Sequence, residues 1–312
     1  GTPDQIISGN ATVINEERNA GISFFVNNRI RNLYDANGDN YSELPELKNN
    51  SFGTNILFLP TEDQKLEINF SKMNEFRYGG EIVKKAPHFA LQSEERTHDV
   101  YAGNIDYQIN FNEGKSSLIT YFASQYTGRK HYTGIFPDAS ADIQNHIENP
   151  PYGNSETTTF QGGIQFNYKV DNFLNGNSVF TIGTEFVQDD VFDEIKAYNY
   201  EVDQLTENLG FFFQSDWEIN KKMTLLSGFR VDKHNLVSNA IILYNFIANT
   251  PFRATWGTGF RAPQAFDTDL HIAFAGGGIS RVTLANDLKQ ERSNSYNLSL
   301  NFDKPTEHYI YG

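Results

Sequence analysis

The amino-acid sequence predicts an all-β chain forming an antiparallel transmembrane β-barrel, and an incomplete one. Two observations carry that prediction. Apolar and polar residues alternate over segments of about ten residues, enough for a tilted strand to cross a bilayer. The connections between these segments alternate between short and long, as the periplasmic turns and extracellular loops of outer-membrane barrels do. A strand with one apolar and one cationic face is the sharpest single case. Phe252, Ala254, Trp256, Thr258 and Phe260 share one side, and Arg253, Thr255, Gly257, Gly259 and Arg261 share the other, because successive strand side chains point to opposite faces.

About thirteen such segments can be read along the chain. Ile105, Tyr107, Ile109 and Phe111 oppose Asn104, Asp106, Gln108 and Asn110. Ile164, Phe166, Tyr168 and Val170 oppose Gln165, Asn167 and Lys169. Leu209, Phe211, Phe213, Ser215, Trp217 and Ile219 oppose Phe212, Gln214, Asp216 and Glu218, and Tyr296, Leu298 and Leu300 oppose Asn297 and Ser299. Ten residues at about 3.3 Å each and a 45° tilt rise about 23 Å, close to an outer-membrane apolar band. No stretch reads as an amphipathic helix. Outward faces of this kind make membrane lipid the first expected partner.

Short links fall at Asn15–Asn19, Pro60–Gln64, Asn112–Lys115, Asn220–Lys222, Ile247–Thr250 and Asp303–Glu307. Long ones fall near 32–50, 78–97, 128–157, 189–206 and 261–289, with an intermediate one at Asp171–Ser178 in a short slot. Over Asn235–Phe246 a long loop is due, yet an apolar run passes straight through, so that loop is either cut short or lacking residues. The strand beginning at Tyr309 leaves an odd, unclosed set with raw edges, so the chain is expected to be part of a barrel.

Bulk composition agrees. The 312 residues include 26 Phe and 16 Tyr but no Cys, and the net charge is −14. Aromatic wealth suits strands and interfacial girdles, the lack of Cys removes a disulfide or thiolate-metal framework, and the acidity argues against a nucleic-acid partner. No nucleophile–base–orienter set, phosphate loop or acid pair has usable spacing, so the chain is not expected to be an enzyme.

Gly257-Thr258-Gly259-Phe260-Arg261-Ala262-Pro263 and Ala285-Asn286-Asp287-Leu288-Lys289-Gln290-Glu291 resemble the paired boxes, G-F-R-A-P and N-P-x-L-x-x-E, of the TonB-dependent outer-membrane receptors of Gram-negative bacteria. Within the first box Gly259, Phe260, Arg261, Ala262 and Pro263 carry the match. Ala285 and Asn286 depart from the second, where Asn and Pro are usual. The resemblance implies part of a 22-stranded barrel with long extracellular loops and short periplasmic turns, plugged in such receptors by an N-terminal domain; no plug domain is visible in this sequence, a departure from that plan. It further implies energised uptake of a scarce large nutrient such as siderophore-iron, cobalamin or haem. The implied partners are the TonB energy-transducing complex, reached through a plug, a small-molecule or metal-chelate ligand, and a surface lipoprotein. A passive porin and a soluble extracellular carbohydrate-binding β-sandwich are the alternatives.

Candidate sites follow. Asp35, Asn37, Asp39, Glu43 and Glu46 have the 1, 3, 5, 9, 12 spacing of an oxygen-ligand calcium loop, although Asn40 replaces the turn glycine; the other reading is an acidic, solvated loop tip. No further cofactor is required. Because the long loops should share one end, Tyr78, His88, Tyr132, Phe136, Tyr152, Tyr198, Tyr200, His271 and Phe274 are expected to line one mouth. Of these Tyr78, Tyr132, His271 and Phe274, with His131 of the Arg129–Tyr132 run, are the expected ligand contacts. The resemblance adds that His271 stands where some haem receptors carry an axial ligand. Arg230, Asp232, Glu185, Gln214, Glu218, Arg253 and Arg261 are expected on the lumen face as opposed charges bracing the wall.

Overall fold

The computed structural model describes residues 3–232, 235–247, 250–261 and 291–300. They form one antiparallel sheet of 13 strands in strict chain order. In sequence these are β1 (Asp4–Ile14), β2 (Ala20–Arg31), β3 (Glu46–Thr61), β4 (Gln64–Gly80), β5 (Gln92–Phe111) and β6 (Ser116–Ile135). Then come β7 (Tyr152–Phe173), β8 (Gly176–Ile195), β9 (Tyr200–Asn220), β10 (Met223–Asp232), β11 (Asn235–Ile247), β12 (Thr250–Arg261) and β13 (Glu291–Leu300). Every strand pairs with its chain neighbour, an up-and-down meander with no second sheet among the described residues. A sandwich needs two facing sheets, so the β-sandwich alternative is set aside.

The register places the alternating faces as the sequence predicts. Ile68, Ile105 and Phe122 are successive Cα partners across β4–β6, and Ile164, Thr184 and Phe211 follow across β7–β9. Their large side chains stay open, Ile105 at 48% and Phe211 at 57% exposure, which suits a surface meant for lipid. The opposite face is concave. Asn55, Asn69, Asn104, Tyr121, Gln125 and Gln161, from five strands, line a hollow of about 740 Å³. Near the tight turns the apolar face carries linked rings: Phe173 meets Phe180 at 5.1 Å and Trp217 at 5.8 Å, and Phe180 continues to Phe213 at 6.0 Å. Such rings form the interfacial girdles of membrane barrels.

Four details differ from the sequence expectations. From β3 to β9 the strands run 16 to 22 residues, well past the ten needed to cross, so much of each long "loop" is strand. The Asp171–Ser178 link is tight: β7 and β8 leave only Leu174 and Asn175 between them, with φ of 46° and 67°. Two successive left-handed residues match the hairpin turn whose twist suits the flanking strands, and apolar Leu174 hid it. After β10, where a long loop was due, Asp232 pairs with Asn235. Finally a helix does form, α1 (Ser140–Glu148). Its apolar stripe is only Ile143 and Ile147, too sparse for a periodicity signal. Asp142 in its first turn suits the helix dipole, and Pro150-Pro151 stop it.

Little of the sheet is buried. Among the described residues the buried apolar core is Leu47, Tyr78, Ala90 and Tyr132, all at the end away from the tight turns. There the link 81–91, with a short 3-10 turn at Pro87–Phe89, folds over the convex side of the strands.

Candidate functional site

At that same end the concave face carries two adjacent rows of cations. Arg31 lies level with Leu47, which partners Arg77; Arg77 is opposite Arg96, and Arg96 opposite His131. In the next row Arg29, Asn49, Glu75, His98, Arg129, Ser155 and Asp193 follow one another across β2–β8. Like charges directly opposite destabilise a sheet, and local acids offset them here. Arg29 bonds Asp4 at 2.6 Å, Arg77 bonds Glu75 at 2.6 Å, and Arg96 approaches Glu94 at 2.6 Å. His131 Nε2 sits 3.4 Å from Asp193 Oδ1 with both side chains buried. Burial first, then the charges of Arg129, Arg96 and Arg77 against the pull of Glu75, hold His98 below the ordinary histidine value. Arg77 and Glu94 also line a second concave hollow of about 490 Å³, with Ser42, Ser93 and Gly134.

Glycine makes part of this face possible. A Cβ on Gly153 would lie 2.1 Å from His131 Cε1, so the imidazole occupies that space. Gly210 does the same for the lumen ion network below, where a Cβ would meet Asp232 Oδ1 at 2.4 Å. In that network Arg230 donates to Glu185 at 3.0 Å and to Asp232 at 2.9 Å. Gln161 and Tyr121 donate to Glu185, and Asn208 to Asp232. Glu185 pairs with Gly210 and Gly210 with Asp232 on the concave side, so these charges are paired across the wall. Gln214, Glu218 and Arg253 hold the matching register positions. Arg261 ends β12 opposite Glu291.

The structure divides the expected ligand contacts. His131 faces the concavity. Tyr78 and Tyr132 share a row with Glu95 and Tyr152 on the convex side, and they are 7% and 0% exposed. The Tyr78 hydroxyl donates to the Glu81 carbonyl at 2.6 Å. Tyr132 packs on Tyr152 with centroids 5.0 Å apart, and burial pushes its phenol far above the ordinary value. Both belong to the cap on the outer wall and not to a mouth lining. His271, Phe274, Ala262 and Pro263 lie outside the described residues, while Gly259 and Phe260 continue β12 opposite Ser293 and Arg292. Missed from the sequence were Arg29, Arg31, Arg77 and Arg96. Their period-two placement was visible, but only cross-strand register puts them side by side.

In the 32–45 link, Asp35, Asp39 and Glu43 bring carboxylate oxygens within 4.8 Å of one another. All three already accept backbone N–H groups: Asp35 from Gly38 at 2.6 Å and Asn40 at 2.9 Å, Asp39 from Tyr41 at 2.9 Å, and Glu43 from Ala36 at 2.6 Å. Asn37 turns its amide to Asp39 at 3.0 Å. Glu46 stands apart at the start of β3, paired with Lys48 at 2.7 Å. Asn40, at φ 70°, takes the left-handed conformation expected of a turn glycine.

A one-sheet meander with an apolar convex wall, a polar hollow and strands running far beyond the apolar band defines a membrane-barrel segment with an elaborated outer end. The family model for TonB dependent receptor-like, beta-barrel matches residues 18–308, and the chain belongs to that family. Barrels of this family are outer-membrane proteins of Gram-negative bacteria. Solved structures agree on the fold. The siderophore receptor PirA from Acinetobacter baumannii superposes with TM-score 0.71 at 14% identity, covering 97% of this chain and 48% of that one. A mutant ferric enterobactin receptor PfeA from Pseudomonas aeruginosa, in complex with enterobactin, gives 0.72 at 13% identity, covering 97% and 49%. The FpvAI–pyocin S2 complex gives 0.67 at 12%, covering 96% and 44%. The chain thus spans about half the length of the structures it matches. No curated protein matches it.

Proposed function

We propose that this chain is the larger part of an outer-membrane receptor barrel for energised uptake of a scarce, large nutrient, with siderophore-iron favoured over cobalamin and haem. The observation that carries the reading is the pair of cationic rows on the concave face, in a chain whose net charge is −14. A fixed fork of guanidinium donors suits anionic, oxygen-rich chelates, and the solved structures of similar fold include proteins described as siderophore receptors. A passive porin would have no use for a cargo-sized arginine surface beyond the membrane. A plug reaching the TonB complex completes the mechanism.

The test is uptake of labelled ferric siderophores, cobalamin and haem by cells carrying the full-length receptor, with and without a proton gradient. Gradient-dependent uptake of one cargo is expected; passive leakage of small solutes with no energised uptake of any of the three overturns the reading. On the same cells, a bulky label should reach a cysteine at Asn145 and fail at Glu113, and the reverse pattern would invert the topology.

The Asp35, Asp39 and Glu43 trio is proposed to hold calcium in the outer medium. Three carboxylates so close raise one another's energy, and a divalent cation relieves this. Calorimetry on the full-length receptor should show binding heat that Asp35→Ala with Asp39→Ala abolishes. Equal heats from both proteins would rule the site out.

A further inference from the structure

Two loops separated in the chain by the whole β5–β6 hairpin are joined on the convex wall by a pair of histidines. His146 of α1 places Nε2 2.9 Å from the carbonyl oxygen of His88, so its N–H donates there. His88 places Nδ1 3.0 Å from the Tyr152 hydroxyl. The two imidazoles meet edge-on with centroids 6.2 Å apart, and Tyr152 closes on His88 at 5.7 Å. Phe136 packs on His146 at 5.5 Å, and its N–H donates to the Leu91 carbonyl at 2.9 Å. Beneath lie fully buried Ala90 and Tyr132.

We propose that this histidine pair is a proton-released catch: with His88 neutral it holds the 81–91 and 136–151 links against the outer wall, clear of the mouth, and when His88 takes up a proton both links come free.

The surroundings decide the direction. On the His88 side Lys85 lies with its ammonium 5.6 Å from the Phe89 ring, whose centroid is 4.1 Å from that of His88 with the rings tilted by 39°. From the 136–151 link come His146 with Asp142 four residues before it on the same helix face and Asp138, all lining one hollow with Tyr198, and Glu148, which is exposed. From β4 and its end come Tyr78 and Glu81, whose carboxylate is engaged by the Leu91 N–H. The strands β5, β6 and β7 present Glu95, Tyr132 and Tyr152, and the link after β8 presents Tyr198. Of the acids, Glu95 is itself held above the ordinary carboxylate value by burial and then by Glu46. Among the described residues no carboxylate bonds either imidazole, so an imidazolium at His88 loses water, gains no counter-ion there and faces His146. Burial first and then His146 keep His88 below the ordinary histidine value. A group whose value is depressed in the closed form favours that form above the free value, roughly 6.5, and withdraws the support as pH falls through the depressed one.

The experiment uses the full-length receptor with spin labels on cysteines placed at Lys84 and Gln144, any other cysteines being replaced. At pH 7.5 one narrow distance distribution is expected. At pH 5.0 a broad, longer one should appear, with the closed-to-open ratio down at least fivefold. His88→Phe keeps the ring packing without the proton and should stay narrow at both values. His146→Gln keeps the donor to the His88 carbonyl without the neighbouring imidazole, so its release midpoint should move to higher pH. Identical distributions at both pH values in the wild type overturn the catch. So does a wild-type response surviving in His88→Phe, or an unmoved midpoint in His146→Gln.

Discussion

Tyr132→Ala should lower the stability of the full-length receptor by about 3–5 kcal/mol, the range for removing a buried aromatic ring. Tyr132 is fully buried, stacked on Tyr152, and covered by the link that carries Ala90. The ring contributes through packing alone, because its hydroxyl has no hydrogen-bond partner among the described residues. An unsatisfied buried hydroxyl costs about 1–3 kcal/mol. Tyr132→Phe should therefore be neutral or stabilising by about 1 kcal/mol, opposite in sign to the alanine variant. Reversible denaturant unfolding in lipid vesicles separates the two. A loss in Tyr132→Phe as large as in Tyr132→Ala would mean that the hydroxyl holds a partner.

Ile105→Arg should destabilise by about 2–4 kcal/mol in the same assay, as a charge does on the lipid face near the bilayer midplane. Ile105 lies in the middle of the apolar convex rows, between Ile68 and Phe122. Gln125→Arg, on the concave face of β6, places the same charge in a wet hollow and should stay within about 0.5 kcal/mol. Equal effects from the two would show that the convex wall does not meet lipid.

The second expectation depends on knowing which face is which, and that was legible before any coordinates. A strand's side chains alternate with period two, so Ile105 and Gln108, or Trp256 and Gly257, are assigned to faces by counting. Turn positions were legible for a related reason: tight hairpins need Asn, Asp, Gly or Lys at points that interrupt the alternation, as at Asn112–Lys115. Where an apolar residue took a left-handed turn position, at Leu174, that signal vanished. A nine-residue helix with two isoleucines was invisible in the same way, because its energy comes from docking on the 81–91 link and not from its own pattern.

What the sequence by itself determined is the class of the chain: period-two faces, short and long connections in alternation, and a boxed motif together specify a membrane-barrel segment of one family. Those signals are local, each read within about ten residues. The site was decided only in three dimensions. Register alone sets Arg77 opposite Arg96 and His131 over Gly153, and it sets Tyr132 between Glu95 and Tyr152. Tertiary contact alone brings His88 to His146, 58 positions along the chain. A strand dictates which side a residue takes, but not which residue from another strand or loop it will meet there. That depends on loop closure and long-range packing, whose energies no local pattern encodes.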